Sequence, residues 1–209
     1  YIQHHPAPMY WKLSPYYLPQ RNDTSCSLAT STMVVNAARS SQALKANTEL
    51  ATQNKLLEKV NDKDWSAGVA DQGDGITLDQ LSTYLPKALE AYGLKKFSIE
   101  TVHVNDTTKA TEAKLLKELI EMERTGNTFI IGNFDQKYFS GTLQAGHFSP
   151  LGAYDTKNKR VLVMDVDRAW FEPYWVPEKL FLESMATSDA NANKNRGYIV
   201  VKFLTEKDH

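Results

Sequence analysis

Four residues in this chain could together perform nucleophilic chemistry. They are the single cysteine, Cys26; a histidine between a glycine and a strand-like run, His147; an aspartate ending the next apolar run, Asp165; and a glutamine six positions before the cysteine, Gln20. A thiol at a helix N-terminus feels the partial positive charge of unpaired backbone N–H groups, and a neighbouring imidazolium favours the thiolate further. A carboxylate beside the imidazole sets its tautomer and stabilises the charged ring, leaving the other ring nitrogen for the nucleophile. Gln20 could aim an amide N–H at a developing oxyanion, with the Cys26 backbone N–H as second donor. Plainer readings stay open at this point, because a lone cysteine among apolar neighbours is commonly a small core residue and a lone histidine near a turn is commonly structural.

The elements around these residues decide whether they can meet. "SCSLATSTMVVNAARSS" sets Leu28, Met33, Val34 and Ala37 near helical spacing, with Asp23, Thr24 or Ser25 to cap the first turn and Cys26 at or near the helix start. "HFSPLGAY" and "RVLVMDV" read as strands. Joined as a hairpin through "DTKNK", they place His147 and Asp165 symmetrically about Thr156, and so on one face. A turn centred half a residue away would put the two on opposite faces.

Residues 1–24, rich in Pro and Tyr, read as extended or looping chain that packs aromatics onto the body. "SQALKANTELATQNKLLEKV" reads as a second helix, and "SAGVADQGDGI" after Trp65 as a loop. "TLDQLSTYLPKALEAYG" opens with Thr77 and Gln80 in capping-box register and ends at Gly93, with a kink expected at Pro86. "KFSIETVHV" is a strand and "KATEAKLLKELIEMERTG" an amphipathic helix stopped by Gly126. "TFIIGNF" and "RGYIVVKF" are further strands, with a short helix near 177–186. Helices first and strands mostly later predict an α+β fold with an antiparallel sheet, one domain over 1–209 with a helical lobe at about 20–95 and a sheet lobe at about 96–205.

Composition narrows the classes. At 42% hydrophobic and 23% charged, 209 residues suffice for an ordinary core. A net charge of -1 supplies no basic field for nucleic acid or an anionic membrane surface. Apolar runs are strand length, far short of the roughly 20 residues of a membrane-spanning helix, so a soluble protein is expected. One cysteine excludes an internal disulfide and a multi-thiolate zinc site. His4 and His5 are adjacent while His103, His147 and His209 are scattered, which offers no metal-ligand spacing. The chain opens at Tyr1 with no visible leader, as a trimmed or a processed exported protein would.

Several stretches, in order, resemble the catalytic domain of the phytochelatin synthase family. They are Gln20-x5-Cys26-x-Leu28-Ala29, Gly75-Ile76-Thr77-Leu78, Gly146-His147-Phe148-Ser149-Pro150, Asp165-Val166-Asp167-Arg168, Pro173-Tyr174-Trp175-Val176 and Arg196-Gly197. The resemblance implies a papain-like fold and an enzyme that cleaves the Cys-Gly bond of glutathione through a γ-glutamylcysteinyl thioester. On matching positions it implies Cys26 as nucleophile, His147 as base and acid, Asp165 as its orienter and Gln20 as the oxyanion amide. Asp189 and Arg196 match positions that hold the ammonium and carboxylate of the γ-glutamyl end, and Arg168 matches an arginine that either touches substrate or braces a loop. Ser27 stands where a glycine is usual, and Asn133 to Gln136 and "AWFEPYW" depart from the family pattern.

The resemblance further implies a short bacterial-type member of the cytoplasm or periplasm, lacking the cysteine-rich extension of eukaryotic members. Such a member would release its acyl group mainly to water, with transfer to a second glutathione secondary. No cofactor is required, although soft metal ions such as cadmium could activate through metal-glutathione thiolates. Glutathione is the expected partner; a homodimer is compatible with the sequence, which does not determine oligomeric state. The alternatives are a cysteine peptidase or amidase on another γ-glutamyl or small peptide substrate and, from a different class, a non-catalytic metal- or thiol-peptide binder.

Overall fold

The strand at Thr128–Asp135 is buried at every one of its positions, so the sheet is covered on both faces where this strand runs. The structure is a computed structural model and describes residues 1–40, 42, 45–141 and 145–204. His209 and Gln144 lie outside the described residues. In chain order the helices are α1 (Pro8–Leu13), α2 (Cys26–Arg39), α3 (Gln53–Val60), α4 (Lys63–Gly68), α5 (Leu78–Ala91), α6 (Lys109–Thr125), α7 (Lys137–Ser140) and α8 (Glu178–Met185). The strands are β1 (Phe97–His103), β2 (Thr128–Asp135), β3 (Gly146–Asp155), β4 (Arg160–Val163), β5 (Tyr174–Pro177), β6 (Ser188–Asp189), β7 (Lys194–Asn195) and β8 (Gly197–Phe203). Six strands form one antiparallel sheet in the order β1-β8-β2-β3-β4-β5, and β6 pairs with β7 as a separate small hairpin. The fold is α+β.

Local chemistry sets the element ends. Thr77 and Gln80 form the reciprocal capping box of α5, and the helix continues through Pro86 without interruption. Gly126 adopts the left-handed conformation that ends α6. The second helix is shorter than its sequence pattern predicts, starting at Gln53 rather than near 41; residues 41, 43 and 44 lie outside the described ones. Its late start has a cause: the buried Asn36 amide bonds both the N–H and the C=O of Ala51, holding that residue outside the helix, and Thr52 then caps the next turn.

Two further expectations need correction. Residues 1–24 are not wholly extended, because Pro8 starts α1, whose Met9 and Leu13 are one turn apart and fully buried, and the helix packs on β3 and α6. The loop after Trp65 begins three residues late, since Asp62 caps α4 through Gly68.

α2 is buried along its whole length, so no polar face marks it as a surface helix. Its hydroxyl residues are satisfied internally: Ser31 and Thr32 donate to the carbonyls one turn back, and Thr30 donates to Phe148 O of β3 at 3.0 Å. Cys26 and Thr30 share a helix face. The Thr30 bond therefore sets the register between the helix that begins with Cys26 and the strand that carries His147.

The β3–β4 hairpin turns elsewhere than expected. Asp155 pairs with Arg160 and Ala153 with Leu162, which centres the turn between residues 157 and 158, not on Thr156. Continued unchanged, this register would put Asp165 across from Pro150, on the face opposite His147. A bulge at Gly152 intervenes: Leu151 pairs with Val163, and Met164 N donates to Pro150 O. The single extra residue returns Asp165 to the side of Ser149 and His147. Strand β5, which the sequence reading lacked, pairs Tyr174 with Val163 and so brings its phenol beside the same corner.

Replacing Thr30 with valine keeps shape and removes the hydroxyl, and should cost about 1 kcal/mol of stability. Urea unfolding of Thr30→Val against the parent measures it; an unchanged midpoint would show that this bond does not hold α2 to β3.

Candidate active site

Cys26 is the first residue of α2 and is 7% exposed. The loop before it is pinned: Ser25 Oγ accepts from the backbone N–H groups of Arg21 and Asn22, Asn22 Nδ2 donates to Val69 O, and Thr24 Oγ1 donates to Ala70 O at 2.7 Å. Ser25 is the N-cap, yet its hydroxyl serves this loop and not the helix. The first N–H groups of the helix consequently remain directed at the end where the thiol sits. Ser27 explains itself structurally, since its hydroxyl accepts from the buried Trp65 indole at 3.4 Å.

His147 is 3% exposed on β3, opposite Phe134 of β2, whose ring meets it edge-on. Its Nε2 lies 2.8 Å from Asp165 Oδ1, which leaves Nδ1 for the Cys26 thiol, whose proximity is among the causes that raise the pKa of the ring. Asp165 is fully buried and saturated with donors. Tyr174 donates its hydroxyl to Oδ2 at 2.7 Å, the Asp167 N–H donates to Oδ1 at 2.8 Å, and Tyr17 donates to the Asp165 carbonyl. Burial alone would lower the imidazole, but the charge and hydrogen bond of Asp165, together with Cys26, outweigh it and raise His147 from 6.5 to about 10. Burial would raise Asp165, and its contacts with His147, Tyr174 and Asp167 N–H hold it below the usual carboxylate range instead. Tyr174, buried beside that carboxylate, is pushed far up and stays a neutral donor.

The site opens on a cavity of about 170 Å³ whose wall includes Asp23, Cys26, Asp74, Asn133, Asp189 and Arg196. Arg196 follows β7; its Nη1 donates to Thr187 Oγ1 and Ser188 O, and its Nε is buried without a partner. The guanidinium lies against Gly146, where a Cβ would fall 2.9 Å from Nη2, so a larger residue before His147 would displace the guanidinium from this place. Asp189, on β6, accepts the Asn191 N–H. Three carboxylates against one guanidinium suit a ligand that carries a cation beside a single carboxylate, and disfavour a polyanion.

Of the residues singled out in the sequence, the structure joins Cys26, His147 and Asp165 in one row and puts Asp189 and Arg196 in the adjoining cavity. Gln20 is tied by its backbone N–H to Val166 O, next to Asp165, and its amide oxygen is buried without a partner. Arg168 does not line the cavity: its guanidinium sits over the Tyr17 ring at 4.4 Å, bracing the tyrosine that holds Asp165. Tyr17, Tyr174 and Asn133 are the contributors that the sequence reading did not name as site residues. Tyr174 stood inside the quoted Pro173-Tyr174-Trp175-Val176 stretch, whereas nothing local marks Tyr17 or Asn133. A larger aromatic groove of about 430 Å³ borders Tyr174 from outside and contains neither Cys26 nor His147.

Among the described residues no helix is long and apolar enough to cross a membrane, and no three His, Cys, Asp or Glu side chains gather as metal ligands. A row of thiol, imidazole and buried carboxylate can form a thiolate–imidazolium pair, attack a carbonyl carbon and return a proton to a leaving group.

Comparison with known proteins points the same way. A family model described as "Phytochelatin synthase" matches residues 2–198. Glutathione gamma-glutamylcysteinyltransferase 1 of Arabidopsis thaliana is 32% identical over 95 residues, 46% of this chain and 19% of that protein. Glutathione gamma-glutamylcysteinyltransferase 3 of Lotus japonicus is 25% identical over 202 residues, 93% of this chain and 38% of its own length. Glutathione gamma-glutamylcysteinyltransferase of Schizosaccharomyces pombe is 26% identical over 196 residues, 92% and 43% respectively. The chain spans less than half the length of these relatives.

The His147–Asp165 pair gives stability a defined pH dependence. A raised histidine contributes fully below its unfolded value and loses the contribution as pH climbs through the folded one; a depressed aspartate contributes fully above its unfolded value and loses it on acidification. The stability gap between wild type and Asp165→Asn should therefore be widest between about pH 4 and 6.5 and shrink as pH rises toward 10. Chemical denaturation across that range measures it, and a gap constant from pH 5 to 10 would refute the charged pair.

Proposed function

Because the chain belongs to the phytochelatin synthase family, we propose that it is a thiol acyl-transfer enzyme acting on glutathione. The observation that carries this reading is the Cys26–His147–Asp165 row opening on a cavity that holds Asp189 and Arg196. Those two residues present opposite charges to the free ammonium and carboxylate of a γ-glutamyl end, and arginine can grip the carboxylate with parallel N–H groups. The architecture of a wholly buried helix starting at the thiol, packed on an antiparallel sheet that supplies the imidazole, supports a papain-like fold.

The Cys26 thiolate attacks the carbonyl carbon between cysteine and glycine of glutathione. The oxyanion is received by the Cys26 N–H and Gln20, and His147 gives its proton to the glycine nitrogen as the C–N bond breaks. A γ-glutamylcysteinyl thioester remains on Cys26. Water, deprotonated by His147, then releases γ-glutamylcysteine and restores the thiol; a second glutathione amine in place of water yields the chain-extended peptide. Hydrolysis is the main route. Soft metal ions such as cadmium enter as part of the acceptor, bound to glutathione thiolates, and no cofactor takes part.

The test is incubation with glutathione followed by intact mass and assay of free glycine. A γ-glutamylcysteinyl adduct on Cys26, lost in Cys26→Ser, is the expected result, and absence of both adduct and glycine in the wild type would overturn the reading. Arg196→Ala should raise KM for glutathione about 10- to 100-fold with little change in thermal stability. An unchanged KM would instead favour a cysteine peptidase or amidase without γ-glutamyl recognition.

A further inference from the structure

The β6–β7 hairpin that carries Asp189 and leads into Arg196 has only two paired rungs, Ser188 with Asn195 and Asp189 with Lys194. A ribbon this short is marginal by itself, so something else must hold it. Its tip touches the helical half through Asn191 Nδ2 and Asp74 O at 3.4 Å. Its base is held by a cluster of three polar side chains, one ion pair among them. His103, the last residue of β1, places Nδ1 2.6 Å from Asn195 O and Nε2 2.8 Å from Asp79 Oδ1. Both partners are acceptors, so the ring sits between two oxygens to which its N–H can donate. The second oxygen of Asp79, in the first turn of α5, binds Lys194 Nζ at 2.6 Å.

Lys194 and Asp189 are direct cross-strand partners, and side chains opposite one another lie within about 5 Å at Cβ. An ammonium and a carboxylate so placed would ordinarily pair. Here Asp79 takes the lysine instead and leaves the Asp189 carboxylate for the cavity. We propose that Asp79, His103 and Lys194 form a positioning cluster that bolts the β6–β7 hairpin to the start of α5 and keeps the Lys194 ammonium away from Asp189. Without Asp79 the lysine closes on Asp189 and occupies the place a ligand's ammonium would take. None of the three touches Cys26, His147 or Asp165, so the cluster acts on ligand binding and not on the chemical step.

The effect on KM rests on the glutathione reading above, whereas the effect on the hairpin does not. The experiment compares wild type, Asp79→Asn, Lys194→Ala and the double variant in glycine release from glutathione, in alkylation of Cys26 by iodoacetamide, and in deuterium uptake of residues 187–196. Asp79→Asn should raise KM about fivefold, with kcat and the alkylation rate unchanged, and should speed uptake in the hairpin. Adding Lys194→Ala to Asp79→Asn should bring KM back to near that of Lys194→Ala alone, which a purely structural role of Asp79 would not do. His103→Phe, which keeps the bulk of the ring and donates to neither oxygen, should also speed hairpin uptake relative to wild type.

An unchanged KM in Asp79→Asn, or a double variant no better than Asp79→Asn, overturns the proposal. If the wild type releases no glycine, the glutathione reading fails by itself. Deuterium uptake then decides the cluster: hairpin exchange equal in wild type and Asp79→Asn overturns it, and faster exchange in the variant sustains it.

Discussion

Asp165 and His147 form an ion pair buried away from bulk solvent, and much of the structure exists to make that tolerable. Two ions moved from water into a protein interior lose several kcal/mol of hydration each, which their mutual attraction offsets only when the remaining lone pairs are also met. Around Asp165 they are met: the imidazole and the Asp167 N–H share one oxygen, and the Tyr174 hydroxyl takes the other. Each donor comes from a different piece of chain. The pair is thus stable only in the completed fold, where β3, the chain after β4, and β5 have converged.

The same constraint explains the packing of the first helix of the row. A thiol that must reach a buried imidazole has to start from an equally buried helix, and α2 meets that demand by carrying its hydroxyl residues inward, each with a partner. The mouth of the site is built differently. It is made of short loops and a two-rung hairpin, held by ion pairs and side-chain bonds to backbone and not by apolar area. A rigid row of reacting groups beneath a lightly tethered rim is the arrangement expected where chemistry needs fixed geometry and ligand exchange needs a yielding entrance.

Much of the architecture could be read along the chain, because it depends on neighbours in sequence. The capping box of Thr77 and Gln80, the Gly126 stop, the alternation in β1 and the start of α2 at Cys26 follow from side-chain size, polarity and backbone freedom over a few residues. Where such signals competed with distant contacts, they failed. The helical pattern from residue 41 gave way once Asn36, on another helix, captured Ala51. The N-terminal stretch coiled into α1 because Met9 and Leu13 could be buried against β3 and α6.

For the site, the sequence by itself determined which groups are present and their order: one thiol at a helix start, one imidazole at a strand start, one carboxylate after the next strand. It also carried the family resemblance. Only the tertiary structure decided that they meet. The turn is centred between residues 157 and 158, which alone would have sent Asp165 to the wrong face, and the extra residue at Gly152 brought it back. Strand parity is a property of register, and register is settled by the packing of the whole sheet, so no reading of the hairpin in isolation could reach it.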